Sequence, residues 1–214
     1  MPPMRSMELP KQDHYEIARN AALERLESCF DVERLSALGA EVGPDGSIEL
    51  SSLCWRFSIK LDPFSMVLLP GREEVDIVWQ ILVLNYLGAG LPKAPVRFVS
   101  FAEFAGARGY LQAFEGRVLK RLSGRQGNNK GEFARAAERC GGARGSENPL
   151  SYVFKFFPKF EFEVVRYEGD EDFPPSCNVL FQDNALEVLT AESMIVAADQ
   201  LVSSLCGKTP AGKH

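Results

Sequence analysis

The chain has 214 residues, 45% of them apolar and 25% charged, with a net charge of −5. This is the composition of an ordinary soluble domain with enough chain to bury a sizeable core. It lacks the run of about 20 apolar residues that a membrane helix needs. Residues 1–12 carry no secretory signal, and the acidic balance argues against a general binder of nucleic acid or membrane surfaces. The expected compartment is the cytoplasm.

Residues 13–30 read as a helix, with Tyr15, Ala18, Ala22, Leu26 and Phe30 at helical spacing and Asp13 as its cap. Asp31 opens a short second helix that Gly39 ends, and Pro44-Asp45-Gly46 is a turn signal. Strands follow over 47–50, 53–61 and 65–69. In the second of them Trp55, Phe57 and Ile59 alternate with Arg56, Ser58 and Lys60.

Residues 75–87 are the most apolar stretch. Glu73, Glu74 and Asp76 suit the N-terminus of a helix there, and Gly88, Gly90 and Pro92 stop it. A helix apolar on nearly every face belongs in a core. Its amides, Gln80 and Asn85, then need partners, because an unpaired buried amide costs about 1–3 kcal/mol. Either residue is therefore a candidate to face a ligand.

Residues 97–101 read as a strand, with Ser100 capping a short helix. Residues 110–122 and 130–140 read as helices between glycine-rich breaks. Residues 152–166 read as strand broken by Pro158, and 178–181 as a further strand. Thr190 caps a last helix with Met194, Ala198, Leu201 and Leu205 as its apolar stripe. Strands and helices do not alternate regularly. The expectation is one α+β domain over 13–206, a mainly antiparallel sheet packed with a buried central helix and flanking terminal helices, between flexible ends at 1–12 and 207–214.

Chemistry is sparsely marked. Histidine occurs only at His14 and His214, so His14, at a helix start, would have to carry any histidine mechanism. The glycines around Lys130 do not make a phosphate-binding loop, and the bare Gly106-Ala107-Arg108-Gly109 is weak as a nucleic-acid loop. The five cysteines, Cys29, Cys54, Cys140, Cys177 and Cys206, include no C-x-x-C pair. Reduced thiols are expected. Cys177, following Pro174 and Pro175 in a loop, is the best candidate for a reactive one.

Charge is more informative. Nine basic residues lie between Arg108 and Arg144, opposed there only by Glu115, Glu132 and Glu138, in a chain that is acidic as a whole. Arg117, Lys120 and Arg121 fall on one helical face and suggest an anionic ligand or an acidic partner. Nine aromatics lie between Tyr152 and Phe181. Phe154 and Phe156 are the candidates to line a pocket for a planar ligand. Between two of these strands, Asp170, Glu171 and Asp172 crowd together as a candidate site for a divalent ion or a basic partner. Phe173 is the only large apolar residue of that loop. Its expected burial against the aromatic sheet would make Phe173→Ala cost about 3 kcal/mol.

The segment EGDEDFPPSCNVLF at 168–181, with WQILVLNYL at 79–87 and FVSFAEFAGARGYLQAF at 98–114, resembles an uncharacterised prokaryotic family known only as a domain of unknown function. The likeness covers most of the chain. That family often has histidine where Asn85 stands. The resemblance implies an anaerobic bacterial or archaeal setting, with some members fused to an iron–sulfur domain like that of corrinoid proteins. That domain's cysteine run is missing from this chain. No reaction or cofactor follows. The leading reading is a binding or accessory module for a small anionic or planar cofactor, or for a cofactor-carrying protein. The alternatives are a metal-assisted or cysteine-dependent enzyme and a protein–protein adaptor.

Overall fold

A computed structural model describes residues 11–124, 130–145 and 150–211. Helix α1 spans Lys11–Ser28 and α2 Val32–Ala37. Strands β1 (Glu41–Val42), β2 (Ile48–Ser52), β3 (Trp55–Lys60), β4 (Ser65–Leu69) and β5 (Glu73–Glu74) form an antiparallel meander. Helix α3 (Ile77–Leu87) follows, then β6 (Phe98–Ser100). Next comes a helical run: α4 (Leu111–Phe114), a π turn (Glu115–Leu119) and α5 (Lys120–Leu122). Helix α6 (Lys130–Arg139), β7 (Ala143–Arg144), β8 (Ser151–Phe157), β9 (Phe160–Tyr167), β10 (Ser176–Gln182) and α7 (Ala191–Leu205) complete the chain. The expected α+β class holds, but there are two five-stranded antiparallel sheets instead of one, the second ordered β6-β10-β9-β8-β7.

Sheet one follows the period-two rule. Ile48, Leu50, Phe57, Ile59, Met66 and Leu68 are buried on one face, while Arg56 on the other bonds Glu49 (2.7 Å) and Glu41 (3.0 Å). In sheet two, Phe154 pairs with Phe162, which pairs in turn with Phe181. A register shift between Lys155 and Phe157 lets Phe156 and Phe157 both turn inward.

Helix α3 is the central helix the sequence predicts. Trp79 lies 5.6 Å from the Phe57 ring of sheet one and stacks at 5.2 Å on Phe156 of sheet two. Tyr86 stacks on Phe157 at 4.4 Å. Its hydroxyl donates to Leu38 O (2.6 Å) and accepts from Lys159 N (3.0 Å), tying α2 to the β8–β9 turn. That turn sits against Gly39, where φ is +88° and an added Cβ would stand 2.4 Å from Pro158 Cβ. A side chain there meets both a left-handed backbone and a steric block.

Four local expectations change. Helix α1 starts at Lys11, so Asp13 lies in its first turn; Ala22 and Leu26 are buried, but Tyr15, Ala18 and Phe30 are exposed. Glu73 and Glu74 pair with β4 as a short strand, leaving Asp76 alone to cap α3 through Val78 N (2.9 Å). Phe173 is 71% exposed, because its loop is closed by its own backbone instead: Asp170 Oδ1 accepts from Asp172 N and Phe173 N, and Asp170 N donates to Phe173 O. Residues 208–211 are docked, with Pro210 buried, its carbonyl accepting from Asp76 N, and Ala211 bridging Val75. The expected flexible ends at 1–10 and 212–214 lie outside the described residues.

Candidate functional site

The α1–α3–α7 side of the molecule holds a cavity of about 620 Å³, whose lining includes Glu16, Arg19, Trp79, Gln80, Arg121 and Asp199. Helix α3 supplies Gln80 one turn in from its N-terminus. The residue is 4% exposed, and its Nε2 donates to Val75 O at 2.7 Å. Its Oε1 is buried without a hydrogen-bond partner. An acceptor left so is costly unless something completes it.

Opposite, the Arg121 guanidinium bonds Asp199 Oδ1 and reaches Ser203 Oγ at 2.7 Å. Asp199 and Ser203 are one turn apart on α7, so a single cation spans both. Burial raises the Asp199 carboxyl above its usual range, and Arg121, then Arg117 and Lys208, pull against that shift. The cavity lining thus combines the carboxylates Glu16, Glu74, Asp76 and Asp199 with the cations Arg19, Arg121 and Lys208, and includes Gln80 with its unpaired acceptor. Such a mixed wall can hold a small polar molecule whose anionic group pairs with Arg19, Arg121 or Lys208 and whose donors pair with the carboxylates.

The structure therefore joins Gln80 and Arg121, two of the residues the sequence singles out, and separates the rest. Asn85 lies five residues beyond Gln80, about 140° round the helix. It accepts from Arg25 Nη1 at 3.4 Å beside another, smaller cavity. Arg117 is exposed and outside the cavity lining, though close enough to Asp199 to act on its charge. Phe154 and Phe156 are fully buried, and Phe156 packs against the rings of Trp79 and Phe162, so these strands put both side chains into the core and not into a pocket for a planar ligand.

Among the described residues no three His, Cys, Asp or Glu side chains converge as metal ligands, so Asp170, Glu171 and Asp172 do not make one site. Glu168 of the same loop contacts Lys130 (3.4 Å) and Arg166 (3.6 Å), so part of the acidic loop is answered from within the chain. Cys177 is 5% exposed, and burial pushes its thiol up to about 11. A thiol so placed is a poor nucleophile. The sequence reasoning missed Asp199, Ser203 and Lys208. One signal was available for Asp199: a carboxylate in the C-terminal half of a mostly apolar helix opposes the helix dipole and asks for a tertiary cation.

Residues 32–204 match the family described as "Domain of unknown function (DUF3786)". The chain belongs to the DUF3786 family. No curated protein and no solved structure matches it. The match spans α2 to α7, so within this DUF3786 domain it includes Gln80, Arg121, Asp199 and Ser203, whereas Glu16, Arg19 and Lys208 fall outside the matched stretch. Among the described residues no helix is long and apolar enough to cross a membrane.

Proposed function

We propose that this chain is a non-catalytic binding or accessory module whose ligand occupies the α1–α3–α7 cavity. Gln80, whose buried Oε1 has no hydrogen-bond partner and which lines a cavity together with Arg121, Arg19 and Lys208, carries the reading. The ligand class is a small molecule with an anionic group and at least one N–H or O–H donor. Two features support this. Arg19 of α1 and Lys208 of the C-terminal segment add cations beside Arg121 on the same cavity, which favours negative charge. The π turn preceding Arg121 is a distortion often found where helices are shaped for a ligand. We place the module in the cytoplasm, in the anaerobic prokaryotic metabolism that the family resemblance implies.

A docking role for a cofactor-carrying protein is the second reading. Leu91 (55% exposed) and Val96 (88% exposed) flank a proline-rich edge beside a cavity of about 490 Å³. Exposed apolar residues of this kind suit a partner surface.

Native mass spectrometry and thermal shift on the full chain, with nucleotides, small dicarboxylates and tetrapyrroles as probes, test the leading reading. The expected result is a bound small anion whose stabilisation disappears in Gln80→Leu and in Arg121→Met. No adduct and no shift with any probe would overturn it. A shift that survives in both variants would move the site to another surface.

A further inference from the structure

Two cysteines far apart in the sequence, Cys54 and Cys140, are brought together in the fold. Cys54 is exposed in the turn between β2 and β3, not in a strand as its sequence context suggests. Leu53 before it adopts φ +54°, and its N–H donates to Lys155 O of sheet two at 2.9 Å, which pins the turn. Cys140 ends α6, its N–H shared between Ala136 O and Ala137 O, and it is 4% exposed. At Gly141, which follows, a Cβ would lie 3.4 Å from Leu53 O, so the two segments are in contact. The same Cβ would lie 3.8 Å from Cys54 N, so the residue after Cys140 abuts Cys54 itself, and each thiol is close enough to shift the titration of the other.

We propose that Cys54 and Cys140 form a reversible dithiol–disulfide pair, oxidised by a peroxide, with Cys54 as the attacking thiol and Cys140 as the resolving one. The asymmetry of the pair assigns the roles. Cys54 can meet an oxidant in solvent, whereas Cys140 is buried. The neighbouring Cys140 pushes the Cys54 thiol down to about 7, while the Cys54 sulfur first and burial second push Cys140 up. Cys54 is therefore substantially thiolate at neutral pH and Cys140 remains a protonated donor.

In the first step the Cys54 thiolate attacks a peroxide oxygen. The O–O bond breaks, sulfur takes the oxygen as a sulfenic acid, and hydroxide leaves to become water with the proton already lost from Cys54. In the second step the Cys140 sulfur attacks the sulfenic sulfur. The S–S bond forms, the S–O bond breaks, and the Cys140 proton leaves with the oxygen as a second water. Two electrons pass from the two sulfurs to the peroxide. A dithiol reductant reverses the disulfide. The other thiols are placed differently: Cys177 is buried beside Ser123, and Cys29 hydrogen-bonds the Leu26 and Gly88 carbonyls. Cys206 is close enough to act electrostatically on Cys140, which makes it the internal competitor.

The test uses the full chain, equimolar hydrogen peroxide, alkylation of residual thiols and non-reducing peptide mapping. The expected product is a Cys54–Cys140 linked peptide, two hydrogens lighter than the separate peptides and released by dithiothreitol. In Cys140→Ala, Cys54 should stop at a sulfenic acid that dimedone traps. Alkylation of Cys54 at pH 7 should slow about threefold there, since loss of thiolate outweighs the gain in intrinsic nucleophilicity. Its pH midpoint should move from near 7 toward an ordinary thiol value. A Cys140–Cys206 link, direct over-oxidation of Cys54, or an unchanged pH midpoint in Cys140→Ala would each overturn the assignment. Should Cys140→Ala fail to fold, the wild-type peptide map decides alone.

Discussion

Trp79 stands between two regions built from opposite materials. One face meets Phe156 and the interlocked rings of sheet two, where Phe162 and Phe181 pack edge to face at 5.0 Å. Beside it in the chain, Gln80 borders a cavity whose wall is mostly polar and charged. Sequence reasoning offers both regions as ligand surfaces, and only the second has room for one. Aromatic density by itself leads to packing, because each buried ring contributes through area and ring geometry and leaves no vacancy behind. A site arises where a polar group is carried into the interior by its helix and is left partly unanswered.

The sharpest way to break this comparison is Phe156→Ala. Loss of a fully buried ring that touches Trp79, Phe157, Phe160 and Phe162 should cost about 3–5 kcal/mol in urea unfolding, with the α+β circular dichroism retained if the chain still folds. A loss below about 1 kcal/mol would mean that the aromatic sheet is not core. Arg121→Met should cost less, about 1 kcal/mol, because Asp199 and its partner are only half buried and solvent screens the pair.

Gln80→Leu should change stability by less than about 1 kcal/mol, since it removes an unsatisfied acceptor along with the bond to Val75 O. It should nevertheless abolish ligand-induced thermal shift. Asp199 supplies a pH signature. Its carboxyl is raised in the fold, so the folded state holds that proton more tightly than the unfolded chain does. The associated stability is present below the unfolded carboxylate value near 4 and is lost as pH rises through the raised one. The difference in unfolding free energy between wild type and Asp199→Asn should show that slope over the acid range and then flatten; no slope would place Asp199 in water. The smallest effect is expected at Phe173→Ala, within about 0.5 kcal/mol of wild type, since Phe173 stands in solvent.

Much of the architecture was legible because its signals are local. Asp31 and Thr190 cap their helices through Arg34 N and Ser193 N, and Pro158 sits in the β8–β9 turn. The alternation around Phe57 reports which face is buried. Gln80 could be singled out because a buried amide is conspicuous in an apolar helix, but so was Asn85, and nothing in the chain ranks one above the other. The register at β8 was not legible, because a bulge sets two consecutive phenylalanines inward against the period of two.

What the sequence by itself determined is the inventory: which segments form helices and strands, which faces are apolar, and that a buried central helix carries amides in need of partners. These follow from hydrogen bonding and hydrophobic periodicity over a few residues. Only the tertiary structure decided which distant groups meet. Arg121 finds Asp199 and Ser203, Cys54 finds Cys140, and Tyr86 finds Leu38 and Lys159. The physical reason is that a side chain's pairing energy, pKa and exposure depend on neighbours brought near by the packing of two sheets around α3. Separation along the chain carries no record of that proximity.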